Sequence, residues 1–227
     1  EYDFSFALGD APKLDSILAT RGLTREQAIA SMNASVAVSM KNWVKAGGYR
    51  LELKPPQAPK VIELVQPGQQ GTMRLYPQRK AARRQDPLQL AEDGSGPGPL
   101  PAVRTIAGYR CNGYVVAYED EQGDTLSMTL WIAEELPSQH AIYHLRTMAE
   151  LLQKAAISET WVAAKEGLLL GLDAQMPVSG KAGRLPLTMR YTARTVAAQP
   201  VADSLFAVPQ GWQTLQPGED LPAPGGE

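Results

Sequence analysis

The chain has one cysteine, Cys111, two histidines, His140 and His144, and no apolar run approaching the roughly 18 residues that a spanning helix needs. A single thiol excludes an intrachain disulfide and every multi-cysteine metal or redox motif. His140 and His144 stand four apart on an expected helix, the spacing that turns two imidazoles toward one ion. No Glu follows His140, however, and catalytic zinc usually takes three protein ligands, so the pair reads as exposed polar residues at a helix start. No metal and no cofactor is expected. Charge is equally uninformative: 22 Lys and Arg against 24 Asp and Glu leave −2, no field to gather nucleic acid or an anionic bilayer.

Catalytic motifs are missing as well. There is neither a G-x-S-x-G nucleophile elbow nor an H-E-x-x-H pair. Ser179-Gly180-Lys181 lacks the upstream glycine and the following Ser or Thr of a P-loop. Gly94-Ser95-Gly96-Pro97-Gly98 neither follows a strand nor opens a helix, and Pro97 and Pro99 have no amide to offer a phosphate. Cys111 sits beside Arg110 but has no base to activate it, and reads as a partly buried structural thiol. With no nucleophile, base and orienting group to assemble, a non-enzyme is expected. The Asn33-Ala34-Ser35 sequon matters only in a glycosylating pathway.

What is present is the patterning of a folded, mainly β protein. Hydrophobic residues make up 44% and charged residues 20%, ordinary globular usage. A length of 227 residues fits one large β domain or two small ones. The chain opens on Glu1 rather than Met, in the alternation Tyr2, Phe4, Phe6. That start fits a chain cut behind a signal peptide, and equally one trimmed for expression. Thr24-Arg25-Glu26-Gln27 has the form of a capping box and predicts a helix over 24–33, with a shorter one over 13–20.

From Ala34 the period changes to two. Val36, Val38 and Met40 lead to Trp43, and Gly47-Gly48 predicts a tight hairpin with both glycines at positive φ. The return strand sets Tyr49, Leu51 and Leu53 against Arg50, Glu52 and Lys54, which predicts one wet face. Strands follow at 61–65 and 72–77, at 103–118 and 126–132, and at 168–175 and 185–192, with a turn at Glu121-Gln122-Gly123-Asp124. Residues 86–101 carry too many Pro and Gly for regular structure and read as a mobile loop inserted within one sheet. The clearest helix is expected over 138–157, with Ile142, Leu145, Met148 and Leu152 on one stripe. Arg74, Arg79, Lys80, Arg83 and Arg84 form a basic run beside Tyr76; a solvated strand edge guarded by positive charge accounts for it without nucleic acid.

Three blocks in order carry a resemblance: Gly48-Tyr49-Arg50-Leu51; then Ile106 to Tyr114 leading to Leu130-Trp131-Ile132-Ala133; then Leu205-Phe206-Ala207-Val208-Pro209-Gln210-Gly211-Trp212. The matching positions are Gly108, Tyr109, Cys111, Tyr114, Trp131, Phe206, Pro209, Gly211 and Trp212. Over 34–215 the chain resembles an uncharacterised family of exported bacterial domains, often lipoproteins or periplasmic proteins, that is similar in fold to the LolA-type lipoprotein carriers.

The resemblance implies an α+β, mainly β fold: a strongly curved antiparallel sheet, an unclosed half barrel whose concave face is covered by helices and holds acyl chains or an apolar segment of a partner. Residues 1–33 would then be a strand and helices packing on the sheet, 34–215 a single β domain, and 216–227 a disordered tail. A periplasmic or envelope location follows from the same likeness. Chosen by face alone, Leu51, Leu53, Met128, Leu130, Leu187 and Met189 are the candidate lining residues. Two functions are expected from different classes, a carrier of a lipid or lipoprotein acyl chain and an envelope interaction module without a small ligand.

Overall fold

Twofold alternation turns into strands wherever a neighbour can take the backbone hydrogen bonds. The computed structural model describes residues 1–9, 12–35, 37–45, 47–66, 71–85, 96–119, 123, 125–136, 157–158, 161, 164–180 and 183–223. Its strands are β1 (Tyr2–Leu8), β2 (Ser39–Lys45), β3 (Gly48–Lys54), β4 (Val61–Val65), β5 (Thr72–Tyr76), β6 (Ala81–Gln85), β7 (Gly98–Ile106), β8 (Tyr109–Glu119), β9 (Thr125–Ala133), β10 (Leu168–Gly180), β11 (Gly183–Ala193) and β12 (Gln213–Leu215). Two α-helices, α1 (Pro12–Thr20) and α2 (Arg25–Ser35), lie between β1 and β2. The helix expected over 138–157 falls outside the described residues, apart from Ile157, which is fully buried in the main core.

The strands form one open 12-stranded sheet in the order β12-β6-β5-β4-β3-β2-β1-β11-β10-β9-β8-β7. Two meanders, β2 to β6 and β7 to β11, are joined by the first strand of the chain. β1 is therefore a central strand and does not pack on the sheet. It pairs with β11 along its whole length, from Tyr2 opposite Ala193 to Leu8 opposite Leu187, but meets β2 only at Tyr2 opposite Met40. The rest of that edge faces α2. There the Asn33 side chain accepts from the Phe6 amide at 2.6 Å and donates to the Phe6 carbonyl at 3.1 Å, so an amide side chain stands where a strand would. This use of Asn33 holds the last helical turn, so Ala34 and Ser35 are helical and the strand starts at Ser39 rather than near Ala34. The capping box forms as expected: the Gln27 amide donates to Thr24 Oγ1 at 3.2 Å, and the Thr24 amide donates to Gln27 Oε1 at 2.8 Å.

Three further differences have physical reasons. Only Gly47 takes positive φ, at 71°; Gly48 pairs with Lys45 as the first residue of β3. Residues 98–101, expected in a loop, are strand. β7 is the last strand of the sheet, so Pro99 and Pro101 lose no ladder donor on its outer side, and a bulge between Leu100 and Val103 absorbs the misfit; residues 86–95 lie outside the described residues. The carboxy-terminal end, expected to fray, is tied through Pro222: Arg79 donates to the Pro222 carbonyl at 2.7 Å and Arg83 to that of Glu219.

The face of β3 that alternation predicts to be wet is covered. Arg50 and Glu52 share that face with Ile62, Leu64, Met73, Leu75 and Ala82, as the strand registers require. Phe206, Leu205, Val208 and Trp212 pack over these residues as a second core. The strap is fastened by Arg50, which donates to the Leu205 carbonyl at 2.9 Å, and by the Lys45–Asp203 ion pair. It ends in β12, which adds to β6 in parallel, the one parallel pairing among the described strands.

Phe206→Ala empties the centre of this second core and should cost about 3–5 kcal/mol, read as a lower midpoint in chemical unfolding. Asn33→Ala leaves both backbone groups of Phe6 without their side-chain partner. We expect a loss of about 1–3 kcal/mol and faster hydrogen exchange at the Phe6 amide.

Candidate functional site

Antiparallel registers carry one apolar face through the sheet. Leu53 stands opposite Met40 and Leu51 opposite Asn42. Across β1, Phe6 faces Met189 and Leu8 faces Leu187. Met189 faces Ala174, which faces Met128, and Leu130 faces Leu172. All six sequence-chosen lining residues thus share this first face. They are not equally accessible: Leu51 and Leu130 are fully buried, Met128 and Met189 nearly so, while Leu53 and Leu187 are half-buried. An open pocket of about 290 Å³ lies among β9, β10 and β11, lined by residues that include Thr125, Gln175, Pro177, Pro186 and Leu187. Leu187 is the only one of the six that it touches.

Beneath the ladder lies a polar core that alternation did not reveal. The rings of Tyr2 and Tyr191 stack with centroids 4.5 Å apart and planes at 13°, and the Tyr2 hydroxyl donates to the Leu169 carbonyl at 3.4 Å. Burial pushes the Tyr2 hydroxyl up to about 12 and those of Tyr49 and Tyr191 well above the ordinary phenol value. Glu63, on the same face, is almost wholly buried, and its Oε1 accepts from Arg74 Nη2 at 2.5 Å. A buried carboxylate needs such a partner, because desolvating it alone would cost several kcal/mol.

Comparison with family models, with curated proteins and with solved structures finds no match to this chain.

The basic run is largely consumed by the fold. Arg74 serves Glu63, while Arg79 and Arg83 hold the carboxy-terminal carbonyls. It does not guard an edge, since β12 pairs with β6 there. Cys111 is fully buried on the second face, and burial raises its thiol above the ordinary value, which disfavours the reactive thiolate. Ser179 and Gly180 belong to β10 and not to a phosphate loop. His140 and His144 lie outside the described residues. Among the described residues no three His, Cys, Asp or Glu gather as a metal site, and no helix is long and apolar enough to cross a membrane.

On the second face, Trp131 lies between Gly113 and Gly171 on the flanking strands. A Cβ at Gly113 would fall 3.1 Å from its Cζ3, and one at Gly171 2.8 Å from Ile106 Cδ1. Its indole donates to Asp173 at 3.0 Å, and Asp173 also accepts from Arg190 at 2.8 Å and Arg104 at 3.3 Å. This arrangement packs the ring and fixes its position.

The buried tyrosines set an alkaline limit. In the unfolded chain these phenols ionise near 10, whereas the folded chain keeps the Tyr2 proton to about 12. Between those values the unfolded state releases protons that the folded state retains. Stability should fall as pH rises, by about 1.4 kcal/mol per pH unit for Tyr2 alone. Urea midpoints measured from about pH 9 to 11 should hold level and then drop, less steeply in Tyr2→Phe.

Proposed function

We propose that this is a non-catalytic binding module, working in the periplasm or cell envelope, that takes an apolar ligand such as a lipid or acyl chain onto the first face of its sheet. The observation that supports the reading is the continuity of that face: Leu53, Leu51, Met189, Met128 and Leu130 share one side of a sheet that crosses both meanders without a register slip that would turn them outward. In this reading the sheet curves as an unclosed half barrel, the helices lie over its concave side, and a ligand enters where Leu53 and Leu187 remain half-buried. The location rests on the resemblance drawn from the Tyr109–Tyr114, Trp131 and Phe206–Trp212 blocks.

The full burial of Leu51, Leu130 and Leu172 favours a second reading, in which the interior is a packed core and the module serves as an interaction domain without a small ligand. Native mass spectrometry of protein purified from its own host separates the two. Co-purifying lipid supports carriage, and an adduct-free spectrum with a nonionic alkyl probe failing to bind rejects it. If carriage holds, Leu53→Glu and Leu187→Glu should each weaken binding of dodecyl maltoside about tenfold, because a carboxylate would have to lose water beside the chain. Both sites are partly exposed, so the thermal midpoint should move little.

A further inference from the structure

A cluster of charged and aromatic side chains borders the apolar ladder at β8. Tyr114 stands on the first face directly opposite Leu130. Trp161 meets its ring edge to face, with centroids 5.7 Å apart and planes at 76°. The Lys165 ammonium lies 3.9 Å from the Tyr114 centroid and 5.7 Å from that of Trp161. Glu134 completes the group: its Oε1 accepts from the Tyr114 hydroxyl and its Oε2 from Asn112 Nδ2 at 2.9 Å.

The cluster is held in place from outside. The Trp161 indole donates to the Pro97 carbonyl at 3.0 Å, and its ring covers Gly96, where any Cβ would fall 2.4 Å from Cδ1. Tyr114 is buried, Lys165 half-buried and Glu134 exposed, so the group opens to solvent on the carboxylate side. Two aromatic rings around one cation, with a carboxylate held on the hydroxyl of one of them, are parts by which proteins recognise ammonium ligands, through the negative ring faces and nearby charge. Lys165 supplies that cation from within the chain and stands in for a ligand's ammonium group.

We propose that Tyr114, Trp161 and Glu134 form a cage for the ammonium head of an alkylammonium amphiphile whose chain runs from Leu130 along the first face, with Lys165 filling the cage until the ligand displaces it. The inference rests on the apolar-ligand reading and assigns that ligand its head group. Glu134 disfavours an anionic head by like charge. An internal competitor lowers apparent affinity in proportion to the time it occupies the site, so removing the Lys165 ammonium should strengthen binding.

Isothermal titration calorimetry on the 227-residue chain tests this with dodecyltrimethylammonium, dodecyl sulfate, dodecyl maltoside and tetramethylammonium, each below its micelle threshold where one exists. Lys165→Met keeps the stem and removes the charge. It should bind dodecyltrimethylammonium about tenfold tighter than the unaltered chain, a gain that exceeds any change for dodecyl maltoside. Adding Glu134→Gln, at an exposed position, should remove that gain without lowering the thermal midpoint. Maltoside binding with no ammonium preference, or a preference for the sulfate, overturns the cage and keeps the apolar face. Tighter tetramethylammonium binding by Lys165→Met with no maltoside binding keeps the cage and rejects the apolar face. Silence with all four probes rejects both.

Discussion

The pairing of Tyr2–Leu8 with Leu187–Ala193 is the contact on which the rest of the architecture depends. It brings together residues separated by nearly the whole chain, and it joins two meanders that local hairpins could each form alone. Closing so long a loop costs chain entropy before any contact repays it, which makes this the slow and cooperative step expected of the fold. On the β2 side the same strand is tied by one residue pair and by Asn33, so the two meanders meet at a seam rather than along a full ladder.

Each meander solves the problem of its second face differently. Over β3 to β6 that face is apolar at Ile62, Leu64 and Leu75, and the chain returns as a strap carrying Phe206 and Trp212 to cover it. Over β8 to β10 the strands cover themselves, because Gly113 and Gly171 leave room for Trp131 to lie flat between them while Asp173 satisfies its indole. Both devices lie on the second face, and among the described residues the first face carries the apolar residues that the two halves share. The Glu63–Arg74 pair and the stacked rings of Tyr2 and Tyr191, set into that face, fix partners across strands where apolar contacts alone would tolerate slippage.

Much of this was legible locally. The capping box at Thr24–Gln27, the hairpins, and the side of the sheet on which Leu51, Leu130 and Met189 fall follow from backbone periodicity and hydrogen-bond chemistry within a few residues. The Ala107–Gly108 turn between β7 and β8 was harder to see, since Ala107 takes φ 50° without the Asn or Asp that usually marks such a turn. The strap was half legible: the Phe206–Trp212 block stood out, but its partner surface did not. The Tyr114, Trp161, Lys165 and Glu134 cluster left no signal as a cluster: Tyr114 belongs to the Ile106–Tyr114 block, but its three companions lie elsewhere in the chain and in no spaced motif with it.

Composition and alternation by themselves determined a mainly β chain with one cysteine and two histidines and one consistently apolar side to its strands. Those properties depend on neighbours two to four residues apart. Only the tertiary structure decided that β1 is central, that the supposedly wet side of β3 is a second core, that Arg79 and Arg83 hold carbonyls, and that Lys165 meets the rings of Tyr114 and Trp161. Each of these depends on which distant segments meet, and burial, hydrogen-bond partners and ring contacts are properties of that meeting rather than of any single stretch of chain.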